Sequence, residues 1–170
     1  MKSIMTRRLL AWKGFKMILQ YYMLRGNKFP PVRANPSDAG LDLRWVPDEG
    51  SESVLSIAPG ESILVPTGCI FAIPHGYMLE IKNKSGIAYK RQLLVGACVV
   101  DSGYEGEVFV NLHNVGTEVQ FLMPGDKVAQ AVVIPIVAAR FIASETPDIY
   151  EEYPITISNR GRGALGSTGK

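Results

Sequence analysis

Short apolar runs separated by turn-forming residues constrain the fold of this chain more than any other feature. The 170 residues include 17 glycines and 11 prolines. Between them lie runs rich in Val, Ile and Tyr at residues 62–65, 69–73, 77–81, 107–112 and 128–137. Turn residues at this frequency between such short strands are typical of an all-β sandwich or barrel. We therefore predict one all-β domain, with a single short helix at residues 86–91.

The charge of the chain is concentrated at its beginning. Residues 1–16 carry five basic residues and no acidic one, so residues 17–170 hold 13 basic against 16 acidic residues. The body therefore has a net charge of −3, which does not indicate a nucleic-acid-binding domain. We expect residues 1–16 to be a dispensable N-terminal extension, although a basic organellar targeting peptide stays open.

The cysteines and the longest apolar run bear on the cellular location. Neither Cys69 nor Cys98 has a second ligand at zinc spacing, so we predict no disulfide framework, no metal site and a reducing compartment, the cytoplasm. Cys69 lies in an apolar strand and is expected in the core. Gln130, Pro135 and Arg140 interrupt the apolar run 128–143, which therefore does not predict a membrane span.

The end of the chain is rich in glycine. Residues 159–169 contain two arginines and two hydroxyl side chains among their glycines, a composition that suits neither a helix nor a central strand. Such a segment is either a disordered tail or is ordered by a ligand. Guanidinium groups, hydroxyls and closely approaching backbone amides are the groups that bind a polyphosphate.

Four internal segments carry further chemistry. Asp42 lies between two leucines in a predicted strand, so its side chain is on the face opposite both. Lys84 and Ser85 precede the helix, where free amides either bind phosphate or take an ordinary serine cap. Asp101 ends an apolar run within a predicted hairpin, 96–107, and suits a base toward water. Gln130 interrupts the last apolar strand and requires a partner where it is buried.

In this order, the segments resemble the five motifs of the trimeric dUTPases, at residues 39–43, 84–88, 96–107, 125–130 and 160–169. The resemblance covers residues 17–170. It implies a jelly-roll-type β-barrel over 17–157 and a flexible glycine-rich C-terminal lid over 158–170. It also implies a homotrimer with active sites shared between the chains. The implied reaction is hydrolysis of dUTP to dUMP and pyrophosphate, with Mg²⁺ bound to the triphosphate.

The resemblance implies a role for each matched residue. Asp101 would deprotonate the attacking water, Asp42 would hold waters of the magnesium shell, and Gln130 would contact phosphate or its water. Lys84, Ser85 and Gly86 would bind phosphate oxygens. The remaining positions would bind the nucleoside or close over it: Gly96, Ala97, Cys98 and Val100 at the base, Tyr104 flat on the deoxyribose, Arg160 on the γ-phosphate, and Leu165, Gly166, Ser167 and Thr168 in the lid.

Four positions depart from the family pattern. Lys84 stands where arginine is usual, which keeps the charge but loses the two-pronged fork. Cys98 replaces a common glycine, and Gly103 replaces a frequent acidic residue. Leu165 replaces the aromatic residue that would stack on uracil.

Two other functions remain as alternatives. A dCTP deaminase shares this fold, but that family lacks the glycine-rich fifth motif. A trimeric regulator would bind dUTP and a protein partner without needing turnover. Because all the catalytic positions are filled, the enzyme is favoured, and a regulatory partner can coexist with catalysis.

Overall fold

The computed structural model describes residues 17–50, 54–152 and 154. The chain divides into two units, Met1–Val137 and Ala138–Lys170. The predicted N-terminal extension, 1–16, and the predicted lid, 158–170, lie outside the described residues. Within the described part, no helix has both the length and the apolar character needed to cross a membrane.

Eleven short strands and one helix make up the described part of the first unit. They follow one another in this order: β1 (Gln20–Met23), β2 (Leu41–Arg44), β3 (Leu55–Ile57), β4 (Ser62–Pro66), β5 (Cys69–Ala72), β6 (Tyr77–Lys82), α1 (Ser85–Arg91), β7 (Leu93–Val95), β8 (Val99–Val100), β9 (Phe109–Asn114), β10 (Gln120–Leu122) and β11 (Lys127–Pro135). In the second unit, a four-residue helix, α2, spans Ile149–Glu152. The predicted β-rich fold and its short helix at the second motif are confirmed, whereas α2 was not predicted.

Within the described residues, all the strand pairs are antiparallel and form four sheets. The largest has the order β2-β11-β6-β8, the next β4-β9-β7, and β1-β5 and β3-β10 are two-stranded. The ladders of the described residues do not join into one closed barrel, as the predicted jelly-roll would. The strands are short and end at turns, so each ladder stops after a few residue pairs and the sheets remain separate.

The core lies between the inward faces of these sheets. In β9, Val110, Leu112 and Asn114 are buried and alternate with more exposed residues, as expected where one face of a strand packs inward. Leu79 and Ile81 of β6 are buried in the same apolar cluster. Cys69 is also buried there, as predicted, and both cysteines are free. Burial raises the pKa of the Cys69 thiol to about 11.

The predicted hairpin at residues 96–107 differs from the observed pairing. Its first arm, β8, pairs with β6, whereas its second arm continues into β9, which pairs with β4 and β7. The chain changes sheets at residues 96–98, where Gly96 N donates to Asn111 O at 2.9 Å and Ile81 N donates to Cys98 O at 2.7 Å. A Cβ on Gly96 would lie 2.3 Å from His113 Nε2, so a side chain at the crossing would displace the Asn111 and His113 side chains. Residues 101–108 therefore bridge two sheets.

Candidate functional site

Three of the predicted motifs meet on the largest sheet. Asp42 of β2 is opposite Gln130 of β11, and Gln130 is opposite Lys82 at the end of β6. The Gln130 side chain donates to the carbonyl oxygen of Asn83 at 2.9 Å. Gly40 allows a close approach here, since a Cβ on it would lie 2.9 Å from a backbone oxygen of β11. The segment after β6 is thereby held beside Asp42.

Asp42 lies between two lysines. Its Oδ1 is 2.7 Å from Lys84 Nζ and its Oδ2 is 2.7 Å from Lys127 Nζ. The Asp42 side chain is only 8% exposed, whereas those of Lys84 and Lys127 are 31% and 37% exposed. The cluster has one more positive than negative charge. Because the lysine side chains are about one-third exposed, this net positive charge can be reached by an anion from solvent.

The ionisation of Asp42 is set by two opposing influences. Burial is the largest and raises the pKa, but the hydrogen bonds and charges of Lys127 and Lys84 together outweigh it. The pKa of Asp42 therefore lies below its ordinary value, and the carboxylate is charged at neutral pH.

Lys127 was not among the predicted site residues. Two hydrogen bonds at Gly125 hold the turn before Lys127 in place. Arg44 Nη1 donates to Gly125 O at 2.6 Å, and Gly125 N donates to Trp45 O at 2.8 Å. Arg91 of α1 adds an ion pair with Asp126 at 3.8 Å. A lysine at the start of a strand gives no local signal of its partner, because that partner is set by the pairing of β11 with β2.

The start of α1 is open to solvent. Lys84 occupies the N-cap in an extended conformation and makes no side-chain capping hydrogen bond. Ser85 is the first helical residue, so the alternative of an ordinary serine cap is wrong. Ser85 and Gly86 are both exposed. The predicted phosphate-binding segment thus presents an uncapped turn next to the Lys84 ammonium.

A second feature, the cavity beneath residues 97–109, contains most of the predicted nucleoside-binding residues. Its volume is about 570 Å³, and Leu64, Ile81 and Val108 contribute apolar walls. The predicted residues that line it are Ala97, Cys98, Val100, Asp101 and Tyr104, while Gly96 lies at the adjoining sheet crossing. Besides Ser102 of the turn, two polar side chains that were not predicted line the cavity, those of Glu107 and Asn111. Both follow in or near β9, whose pairing brings them back to the cavity.

Tyr104 is held at the rim of this cavity. Its hydroxyl donates to the Glu107 carbonyl at 2.9 Å, and its backbone N donates to Asp101 O at 3.3 Å. A Cβ on Gly106 would lie 2.5 Å from the Tyr104 hydroxyl oxygen, so the ring lies directly against this glycine. Gly103 has a φ of +85°, a left-handed conformation that a side chain disfavours. This turn geometry suits the glycine that stands at Gly103.

Asp42 and Asp101 lie far apart within one chain. Asp42, Gln130 and Lys82 lie opposite one another on β2, β11 and β6. Asp101 instead follows Val100 of β8, which pairs with Leu79, three residues before Lys82 on β6. With about 3.3 Å per residue along a strand and about 4.8 Å between strands, the two positions are roughly 15–20 Å apart. One chain does not bring both carboxylates to the same phosphorus atom.

The rest of the predicted site is not visible in the described residues. Arg160, Leu165, Gly166, Ser167 and Thr168 all lie outside them. Within the described ranges, no group of three or more His, Cys, Asp or Glu side chains could hold a metal ion. Because both Asp42 oxygens face ammonium groups, the donor set does not suit a magnesium ion held by protein ligands alone.

Comparisons with known proteins show which family the chain belongs to. A sequence-family model of the dUTPases matches residues 28–169. The deoxyuridine 5'-triphosphate nucleotidohydrolase of Aeromonas salmonicida is 35% identical over 149 residues, covering 85% of this chain and 90% of that protein. The protein of the same name from Bartonella henselae is 39% identical over 141 residues, covering 82% of this chain and 75% of that protein. The chain belongs to the dUTPase family.

Solved structures show the same fold. The dUTPase of Staphylococcus bacteriophage 80alpha with dUPNHPP gives a TM-score of 0.70 at 23% identity, covering 90% of this chain and 99% of that chain. A dUTPase variant from phage phi11 of S. aureus gives a TM-score of 0.67 at 23% identity, covering 78% of this chain and 99% of that chain. The second structure is described as coordinating a structural Mg(II) ion.

Proposed function

We propose that this chain hydrolyses dUTP to dUMP and pyrophosphate, which would keep uracil out of DNA and supply dUMP for dTMP synthesis. The observation that carries the proposal is the cavity between β6 and β9, with Asp101 and Tyr104 at its rim. Its volume of about 570 Å³ is within the range of small-molecule sites. The names of the relatives state the same activity for those proteins.

The nucleoside would enter the cavity with its base toward residues 96–100. The apolar walls would cover the faces of uracil, and the backbone of Gly96, Ala97, Cys98 and Val100 would surround its edge. The Tyr104 ring would lie flat on the deoxyribose and leave no room for a 2′-hydroxyl. Its hydrogen bond and its contact with Gly106 fix the ring before the nucleotide arrives, so little ordering is required on binding.

The triphosphate would bind at the Asp42 cluster of another chain. Lys84 and Lys127 offer two partly exposed lysine side chains, and Ser85 and Gly86 offer the open turn of α1. Gln130 stands in the same row of the sheet as Asp42. Binding of phosphate would draw the lysines away from Asp42, because the triphosphate carries more negative charge than one carboxylate.

Magnesium would arrive with the substrate, as the Mg²⁺ complex of dUTP. The ion would neutralise part of the triphosphate charge during cleavage. Asp42, once its lysines contact phosphate, would have a free carboxylate oxygen for a water molecule of the magnesium shell. This role of Asp42 stays a prediction, as does the magnesium requirement itself.

Asp101 would act as the base that deprotonates the water attacking the α-phosphorus. It is exposed at the cavity rim, so a water molecule can reach it. The separation of Asp101 from Asp42 supports a site shared between chains, in which one chain supplies the base and another the phosphate site, as the predicted homotrimer would. Residues 158–170 of a neighbouring chain would then close over the nucleotide, with Arg160 at the γ-phosphate and Leu165 through Thr168 beside it.

Pyrophosphate release tests the proposal directly. We expect release from dUTP with Mg²⁺, and far less from dCTP, dTTP or UTP at the same concentration. Loss of ammonia from dCTP without pyrophosphate release would instead identify a deaminase. Asp101→Asn should lower turnover by a factor on the order of a hundred to ten thousand and keep dUTP binding, because only the base is removed.

Glu105→Gln is the matched control for that variant. Glu105 is an exposed carboxylate on the same loop, and its change removes one charge in the same way. We expect near-native turnover from Glu105→Gln. Near-native turnover from Asp101→Asn would remove Asp101 from the mechanism.

A further inference from the structure

We propose that Arg25 and Glu107 are positioning residues that hold Tyr104 at the sugar and thereby set the preference for deoxyribose over ribose. This inference rests on the proposed hydrolysis of dUTP. Neither residue was predicted as a site residue. Arg25 also lies far in the sequence from the residues that line the cavity. Three contacts meet at Glu107 and connect the pair to Tyr104.

The first contact is a two-pronged ion pair. Arg25 Nη1 donates to Glu107 Oε2 at 2.7 Å and Nη2 donates to Oε1 at 2.6 Å. The two side chains are only 20% and 10% exposed, and the residues are 82 positions apart in the chain. Paired, partly buried hydrogen bonds between a guanidinium and a carboxylate fix both distance and orientation. The pair therefore ties the turn after β1 to the segment that enters β9.

The backbone of Arg25 indicates that its side chain is required at this place. Arg25 has a φ of 52° and Gly26 a φ of 60°, and Asn27 N donates to Leu24 O at 2.8 Å. This is a tight turn with left-handed conformations at both central residues, where Asn and Gly are favoured. An arginine in this conformation is disfavoured, and the contacts with Glu107 offset that cost.

The second contact fixes Glu107 from another side. Gly68 N, in the turn between β4 and β5, donates to Glu107 Oε1 at 2.6 Å. The Glu107 carboxylate therefore accepts hydrogen bonds from the Arg25 guanidinium and from the Gly68 amide, which belong to two separate turns. With its side chain held at both oxygens, Glu107 has little freedom to shift along the cavity wall.

The third contact runs from Glu107 to the sugar face. The Glu107 carbonyl accepts the hydrogen bond of the Tyr104 hydroxyl at 2.9 Å. Tyr104 has no other hydrogen bond from its side chain within the described residues, and its ring is half exposed. The ring position therefore depends on where the Glu107 backbone lies, and through it on Arg25.

The substrate preference follows from this dependence. A ring displaced by about 1 Å leaves space above the sugar, and misplacements of that size change rates by up to about a hundredfold. Hydrolysis of UTP should gain from the extra space, while hydrolysis of dUTP loses part of its alignment. Release of the pair should therefore change the ratio of the two activities rather than lower both together.

The test measures kcat/KM for dUTP and for UTP in four variants. Glu107→Gln and Arg25→Met remove the ion pair at nearly constant volume, and we expect the dUTP-to-UTP ratio to fall on the order of tenfold. Arg25→Lys keeps the charge but loses the fork, so its ratio should lie between those of Arg25→Met and the parent. Asp48→Asn is the matched control, because Asp48 also contacts Arg25, at 3.2 Å, but is 65% exposed. Its ratio should equal that of the parent.

A purely structural role gives a different result. It lowers the thermal midpoint and the active fraction, which reduces both activities equally and leaves the ratio unchanged. An unchanged ratio in Arg25→Lys and Arg25→Met would overturn the inference even if Glu107→Gln fails to fold. Absence of dUTP hydrolysis in the parent protein would instead overturn the proposed function, and this inference with it.

Discussion

Substitution of Asp42 by asparagine tests the two-lysine cluster most directly. The change keeps the shape of the side chain but removes the charge that Lys84 and Lys127 share. Hydrogen bonds to charged groups contribute about 1.5–3 kcal/mol each. The lysines are about one-third exposed, so water recovers part of the loss, and we expect Asp42→Asn to lower the free energy of unfolding by about 2 kcal/mol. For a chain of this length that corresponds to about 4–8 °C in the thermal midpoint.

The contribution of Asp42 to the free energy of unfolding depends on pH, and it should be present at neutral pH and absent in acid. The folded protein holds the pKa of Asp42 below its ordinary value, so ionised Asp42 stabilises the fold above about pH 3.9, the ordinary value. This contribution is lost as the pH falls through the lowered pKa. Urea unfolding of the parent and of Asp42→Asn should therefore differ by about 2 kcal/mol at neutral pH and converge in acid.

Two further variants control this experiment. Glu118→Gln changes an exposed carboxylate and should alter the free energy of unfolding by less than about 0.5 kcal/mol. Asp42→Asn combined with Lys127→Met should be more stable than Asp42→Asn alone, because one of two unneutralised ammonium groups is gone. Equal stability of the parent and Asp42→Asn at neutral pH, or a difference that persists in acid, would refute the reasoning.

The remaining predictions concern the sugar, the lid and the base. Gly106→Ala should push the Tyr104 ring away from its present place and raise UTP hydrolysis relative to dUTP without unfolding the chain; an unchanged ratio would mean that the ring does not cover the sugar. A chain ending at Ile157 should sediment like the full chain yet lose nearly all pyrophosphate release, and normal release would exclude a lid. Leu165→Phe should tighten binding of a non-hydrolysable dUTP analogue, measured by calorimetry, by up to about tenfold, since ring stacking adds about 0.5–1.5 kcal/mol. No change in affinity would place Leu165 away from the base.

Local patterns predicted the helix and several of the eleven strands, but not β1, β3, β7 or β10. The five apolar runs correspond to β4, β5, β6, β9 and β11. They could be predicted because a short apolar run and its flanking turn residues occupy only a few consecutive positions. The helix after β6 was predicted for the same reason. Its first residue is Ser85, one position before the predicted start.

Long-range pairing limited what could be predicted of the site. The partners of Asp42 follow from the register of β2 with β11 and from the path of the chain after β6, neither of which has a local signal. Arg25 and Glu107 likewise meet across 82 positions of sequence. The two apolar segments around Asp101 resemble one hairpin in the sequence. They belong to different sheets, and the pattern of a single apolar run does not determine which strand it pairs with.

The cavity beneath residues 97–109 shares part of its wall with the hydrophobic core. Ile81 and Val108 line the cavity and are also buried, at 2% exposure each. A change in their volume alters both the stability of the fold and the width of the cavity that we propose for the base. Substitution at these positions is therefore constrained both by the stability of the core and by the width of the cavity. A variant there that accepts a larger base should also have a changed thermal stability.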